Sequence, residues 1–393
     1  MLTYCLLSKN KLLKIILQKD LYKSIIATIT ILLLLQSCLL SSKITIFGKG
    51  DIKLQEVAFE DLKNWPETDF KKALQSFLHS CNKFAKMPQK RLVGGQIGNI
   101  IVSDFRDVCD IGEVVKTMSN DQAKNFFENW FKPFLVTNRY YESEGLFTGY
   151  YEAALKGSIK KTSRFKYPIY KLPSDINSEP YYSRSEIEDG ALNNKNLEIL
   201  YVDNFADLFF LHIQGSGRVE LQDGSQIRVS YAGRNNQPYT AIGGYMVENG
   251  YISADNVNAQ SIKDWLNDNP KEAEKVMNQN ASYTFFTVSN NEYVIGAQNV
   301  PLTPNHSIAI DDDIIPYGMP IWLESYIKNE QNKKEPYHNL LISQDTGTAI
   351  VGTVRGDVFF GYGKDAERSA SFMASRGKYY VLLPINVINK LQN

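Results

Sequence analysis

The stretch QDTGTAIVGTVRGDVFFGYG, residues 344–363, sets Asp345 and Asp357 in loop-like positions between short apolar runs, and AIDDDIIPYG at 309–318 does the same for Asp311. Each carboxylate is bracketed by Gly, Pro or a short apolar run, the pattern of tight turns between buried strands that present acids at the mouth of a barrel. Asp beside Gly also serves as a turn cap that accepts backbone N–H groups, and taken singly each of the three fits that role. Asp357 is the least turn-like. Val358, Phe359 and Phe360 follow it, and apolar surroundings disfavour the charged form and raise a carboxyl pKa, as a general acid requires.

Working outward, 393 residues with 43% hydrophobic content suffice for about two to three domains with real cores. Forty-three basic and forty-three acidic residues cancel. That balance argues against a nucleic-acid partner and against an extended polybasic membrane patch on the folded part. The 23 Tyr and 20 Phe mostly fill cores, and exposed rings along a groove would also stack on sugar faces. Four scattered histidines, His79, His212, His306 and His338, lack metal-ligand spacing. No phosphate loop, dinucleotide fingerprint or nucleophile elbow occurs, so no cofactor is expected.

The N-terminus reads as a targeting segment. Lys9, Lys11, Lys14, Lys19 and Lys23 precede the apolar run Ser24 to Leu35, too short to span a bilayer comfortably and suited to a signal-peptide core. Gln36-Ser37-Cys38 follows and resembles a lipobox, in which Cys38 would carry the lipid and begin the mature chain. The alternative is an uncleaved anchor of the same topology. Either way the body is exported and tethered. Cys81 and Cys109 are then the only pair in the mature chain, and in an oxidising compartment a disulfide between them is expected.

Along the body, Phe70, Ala73, Leu74, Phe77, Leu78 and Cys81 share one helix face, with Thr68 or Asp69 as cap. A second helix is predicted from Ser119 through Phe131, stopping before Pro133. From Leu146 the texture changes to short strands, LFTGYYEA, FKYPIYKL, LEILYVD and ADLFFLHIQGSG. RVELQDGSQIRVSYAG is a hairpin turning at Asp223-Gly224. Helices are expected at Ser183 to Gly190, Ser261 to Trp265 and Pro270 to Asn278, and the final third returns to strands ending in KYYVLLP. These pieces point to a mainly β protein decorated by helices rather than to alternating βαβ units.

Six ordered motifs, FTGYYEA (147–153), FFLHIQGSGRVELQDG (209–224), SYAGRNNQPYTAIGGYM (230–246), NASYTFF (280–286), GAQNVPLTPNHSIAIDDDIIPYG (296–318) and QDTGTAIVGTVRGDVFFGYG (344–363), resemble the membrane-bound lytic murein transglycosylase A family, whose C-terminal part is the three-aspartate domain. The resemblance implies a double-psi β-barrel domain at about 39–152 plus 290–393, an inserted second β-domain at about 153–289, and a groove between them. That groove would hold peptidoglycan glycan strands. It implies cleavage of the β-1,4 bond between N-acetylmuramic acid and N-acetylglucosamine with a 1,6-anhydro sugar end, on the periplasmic side of the envelope, from an outer-membrane lipoprotein. It also implies that Asp357 is catalytic, that Asp345 and Asp311 match the other two aspartates, and that Thr148 lies near the acid. Two departures are NASY for the family's usual NPSY, and DTGTAI for DTGGAI, where Thr348 replaces a Gly.

A single carboxylate suffices for this chemistry because the substrate's own C6 hydroxyl attacks, with the effective molarity of an intramolecular reaction. Gln214 and Ser216 are candidates to hold acetamido and hydroxyl groups, and Tyr150, Tyr151 and Tyr283 to stack on sugar rings. Rival readings are a hydrolase using Asp345 and Asp357 as a pair, a non-catalytic wall-binding lipoprotein, and a divalent-ion site in the acidic loops.

Overall fold

The computed structural model describes residues 43–177, 179–329 and 331–392. The signal-peptide stretch 1–38 and Cys38 lie outside the described residues. Among the described residues no helix is long and apolar enough to cross a membrane.

The body is mainly sheet. Its strands are β1 (Thr45–Phe47), β2 (Ile52–Glu56), β3 (Phe131–Asn138), β4 (Gly145–Ser158), β5 (Tyr167–Tyr170), β6 (Glu198–Val202), β7 (Ser216–Leu221), β8 (Gln226–Arg234), β9 (Thr284–Ser289), β10 (Ser307–Ala309), β11 (Pro320–Lys328), β12 (Lys334–Asp345), β13 (Arg355–Tyr362) and β14 (Ala374–Pro384). Hydrogen bonding runs β1-β2-β3-β14-β11-β12-β10-β13-β4-β7-β8-β9, with β5 and β6 branching from β4. The long strand β4 changes partners midway. Residues 146–152 pair with β13 and β14, whereas 153–158 pair with β7 and β6. At the change of partners sits Glu152, 1% exposed, in ion pairs with Arg218 at 2.7 Å and Arg228 at 2.5 Å.

Helix α1 (Phe70–Ala85) forms as the apolar spacing predicts, and Asp69 caps it by accepting from the Lys72 N–H. The disulfide joins Cys81 on α1 to Cys109 on α2 (Arg106–Val115), Cα atoms 5.5 Å apart. Closing a loop of that length is worth about 3 to 4 kcal/mol on the chain-entropy account. Helix α3 (Asn120–Trp130) starts at the capping box of Ser119 and Gln122 but stops one residue early. Phe131 is extended and opens β3, where its fully buried ring meets Phe77 and Phe127. Pro133 stands where the pairing with β2 ends: its carbonyl accepts from the Val57 N–H at 3.0 Å, and only the reciprocal N–H is missing.

One expected strand is a helix. ADLFFLHIQ falls within α4 (Phe205–Gln214), capped by the Asn204 side chain on the Asp207 N–H and ended by Gly215 in the left-handed region at φ 77°. Ala206 and every residue from Leu208 to His212 are buried, so the segment carries neither the strand nor the helix period that would have told the two apart. The hairpin at Asp223-Gly224 is present as β7 and β8, with Gly224 at φ 82°. The expected helix at 183–190 is present, capped by Ser183, α-helical over Arg184–Glu186 and widening to a π-turn over Ile187–Ala191. Helices α5 (Ile242–Glu248), α6 (Ala259–Asp268) and α7 (Pro270–Met277) pack with α4 around Met246, Leu266 and Val276. Helix α8 (Lys364–Phe372) lies between β13 and β14, and α9 (Ile385–Gln392) follows β14.

Candidate active site

Sheet register brings the acids together. Ala309 of β10 pairs with Asp345 of β12 on one side and Asp357 of β13 on the other, Asp357 pairs with Thr148 of β4, and Thr148 with Ala374 of β14. One row across five strands therefore carries Asp345, Asp357 and Thr148, and Tyr150 lies two residues along β4 on the face of Thr148. The row is held from behind at both ends. The fully buried Gln344 donates to the Ser76 carbonyl (2.7 Å) and to Ser80 Oγ (2.9 Å) on α1 and accepts from Ser307 Oγ (2.6 Å). Gly149 lets α8 close on β4, since a Cβ there would meet Phe360 at 2.5 Å and the Ala370 Cα at 2.8 Å.

The half-buried Asp357 accepts from Thr148 Oγ1 at 2.7 Å, and Arg355 Nη2 donates to the same hydroxyl oxygen at 2.9 Å. Burial pushes its carboxyl above the usual range, and the Arg355 charge and the Thr148 hydroxyl pull it partly back. Asp345 is also raised by burial. Tyr150 donates to its Oδ2 at 2.7 Å, and the N–H groups of Ala297 and Thr346 to its Oδ1 at 2.9 and 3.0 Å; these bonds oppose the rise, and the Asp357 charge adds to it.

The remaining sequence candidates divide. Asp311 takes the turn-cap role, accepting from Gly352 N–H at 2.7 Å and Asp313 N–H at 3.2 Å, which pins the loop between β12 and β13. Tyr151 points to the opposite side of β4 from Tyr150, is buried, and donates to Glu367 of α8 at 3.0 Å. Tyr283 is 2% exposed and packs on His212 at 4.1 Å between ring centroids and beneath the Arg184 guanidinium. Neither ring has a free face, which corrects the stacking expectation for Tyr151 and Tyr283. Gln214 spends its Oε1 on the Tyr151 N–H at 2.9 Å, and Ser216 is buried on β7. Tyr150 is thus the candidate ring that faces the acids. Among the described residues no group of His, Cys, Asp or Glu could hold a metal ion.

Besides Arg355, two residues at the site were not singled out from sequence. Tyr239, in the stretch after β8, lies within electrostatic reach of Asp357 and Arg355, and its phenol is pushed up by burial and then by the Asp357 charge. Tyr317 stands beside Asp345 and Asp312, with its phenol likewise raised by burial. Tyr239 falls inside the motif SYAGRNNQPYTAIGGYM, but nothing in its neighbours marks it from the other aromatics.

The family description MltA specific insert domain matches residues 146–287, and the description 3D domain matches residues 306–383. The membrane-bound lytic murein transglycosylase A of Vibrio cholerae is 34% identical over 241 residues, 60% of this chain and 65% of that protein. The protein of that name from Escherichia coli K12 is 33% identical over 240 residues, again 60% and 65%. The match thus spans slightly less than two thirds of these curated relatives. Among solved structures, MltA from Neisseria gonorrhoeae in its monoclinic form is 31% identical with a TM-score of 0.70, covering 87% of this chain and 95% of that one. The membrane-bound lytic murein transglycosylase from Agrobacterium tumefaciens is 27% identical with a TM-score of 0.75, covering 86% and 99%. The chain belongs to the membrane-bound lytic murein transglycosylase A family.

Proposed function

We propose that this chain is a peptidoglycan lytic transglycosylase that cleaves the β-1,4 bond between N-acetylmuramic acid and N-acetylglucosamine and leaves a 1,6-anhydromuramic acid end. The observation that carries the reading is Asp357 itself, a half-buried carboxyl with a raised pKa that accepts from a neutral hydroxyl and has a cation beside it. It enters protonated and gives its proton to the glycosidic oxygen as the C1–O bond breaks. The resulting carboxylate takes the proton of the C6 hydroxyl as that oxygen bonds to C1, so the acid is regenerated and no water is consumed. Asp345, held by Tyr150, orients the substrate or Asp357.

We place the catalytic domain at about 39–152 plus 290–393 with a double-psi barrel arrangement, and the inserted domain at about 153–289; the exchange of strand partners after Glu152 supports the first border. Between them runs the glycan groove, lined by Thr148 and Tyr150 on one side and Tyr239 on the other. The names of the relatives and the lipobox-like Cys38 support a lipid-anchored protein in the bacterial envelope, facing the periplasm from the outer membrane.

Chromatography with mass detection of muropeptides released from purified peptidoglycan tests the function. Anhydro-ended fragments, lighter by one water than reducing ends, are expected; reducing ends would assign Asp345 and Asp357 to a two-carboxylate hydrolase. Because the proton donor must be neutral, activity should fall as pH rises through the raised pKa of Asp357. Thr148→Val removes a donor that favours the carboxylate form, so this descending limb should move to higher pH. A pH–rate profile with an unmoved limb would contradict the role given to Thr148.

A further inference from the structure

Arg234 ends β8 opposite Thr284 of β9, and its Nη1 donates to Oγ1 of Thr348 at 2.6 Å. Thr348 lies three residues beyond Asp345, within about 11 Å of chain of that acid. This is the only side-chain hydrogen bond of Arg234 among the described residues, and no described carboxylate pairs with it. By contrast Arg139, Arg164, Arg218 and Arg228 each meet an acid. A guanidinium has five N–H donors in a planar fork that matches a carboxylate. Arg234 spends one on Thr348, is partly exposed, and is oriented by the contact.

We propose that Arg234, docked on Thr348, is a specificity-determining residue that binds a carboxylate carried by the 3-O substituent of the muramic acid, and so separates muramic-acid strands from uncharged β-1,4 oligomers of N-acetylglucosamine. The inference rests on the glycan reading of the site. That substituent leaves the sugar whose C1 bond is broken, so a recognition group for it belongs close to the acid without touching the reacting atoms. Two sources share the chemistry, the free lactyl carboxylate of peptide-free strands and the carboxylates of an attached peptide. Thr348 has the hydroxyl that the Gly of the commoner DTGGAI cannot offer, so the docking belongs to this chain's own sequence.

The test compares the full chain with Arg234→Gln and Arg234→Lys on three glycans: peptide-bearing strands, peptide-free strands with the lactyl carboxylate, and N-acetylglucosamine oligomers. Loss of one charge-assisted contact predicts a KM about 10- to 100-fold higher for Arg234→Gln on the carboxylate-bearing strands. Little change is expected in kcat or in affinity for the uncharged oligomers, and Arg234→Lys should recover part of the loss. Whichever of the two strand types suffers identifies the carboxylate. Raised salt should weaken wild-type binding to that strand and leave Arg234→Gln unmoved. Equal losses on charged and uncharged glycans would make Arg234 a structural clasp and overturn the proposal, as would no loss on any. A wild type that neither binds nor cleaves any strand would instead overturn the glycan reading, and this inference with it.

Discussion

Asp357→Asn is expected to abolish release of anhydro-ended fragments while leaving the fold intact. Asn keeps the size and can still accept from Thr148, but it can neither give nor take a proton. Each proton-transfer role is worth about 10²- to 10⁴-fold, and one group performs both here, so a loss of roughly 10⁴-fold or more is expected in single-turnover assays on purified peptidoglycan. An unchanged rate would point to a different acid. The same variant has a signature in stability. The carboxyl is raised in the folded protein above its ordinary value of 3.8, so the folded state holds the proton more tightly than the unfolded chain. The wild type therefore has this stabilisation in full below the ordinary pKa and loses it as pH rises through the folded pKa. Asn has no such titration. The Tm of the variant should pull ahead of the wild type as pH rises through that window, and a Tm difference independent of pH would mean that the carboxyl is not strained by burial.

Glu152→Ala should be among the most destabilising single substitutions in the body. Its carboxylate is buried at the point where β4 changes partners, facing Arg218 and Arg228, whose side chains are 30% and 10% exposed. Removing one partner from a buried ionic group costs about 3 to 5 kcal/mol because the remaining charge is left uncompensated. Arg218 retains some solvent and the cation–π contact with Tyr362, so the lower part of that range is expected. Replacing Glu152, Arg218 and Arg228 together by apolar residues of similar volume should recover most of the loss, since then no charge is stranded. Denaturant midpoints of the two variants decide the matter. A single substitution costing under about 1 kcal/mol, the level of an exposed pair, would show that the cluster is solvated.

Much of the body could be read locally. The cap at Asp69, the capping box at Ser119 and the turn at Asp223-Gly224 stand where short-range signals placed them, because each depends on a few neighbouring backbone groups. The failures have one cause. ADLFFLHIQ is buried on nearly all sides, so its pattern has no period, and Phe131 ends a helix because a sheet partner, β14, claims it. The aromatics show the same limit. Tyr150 and Tyr151 are adjacent in sequence, yet strand alternation sends one to Asp345 and the other to Glu367.

The chain by itself determined which residue types are available for acid chemistry and that Asp357 sits against apolar neighbours, since both follow from covalent adjacency. Only the tertiary structure decided that β10 lines Asp345 up with Asp357, that β4 brings Thr148 and Tyr150 to them, and that Asp311 serves a turn instead. Strand pairing joins segments 36, 48 and 209 residues apart through backbone bonds that carry no side-chain label, so register, and with it the company each carboxylate keeps, is fixed by packing of the whole sheet.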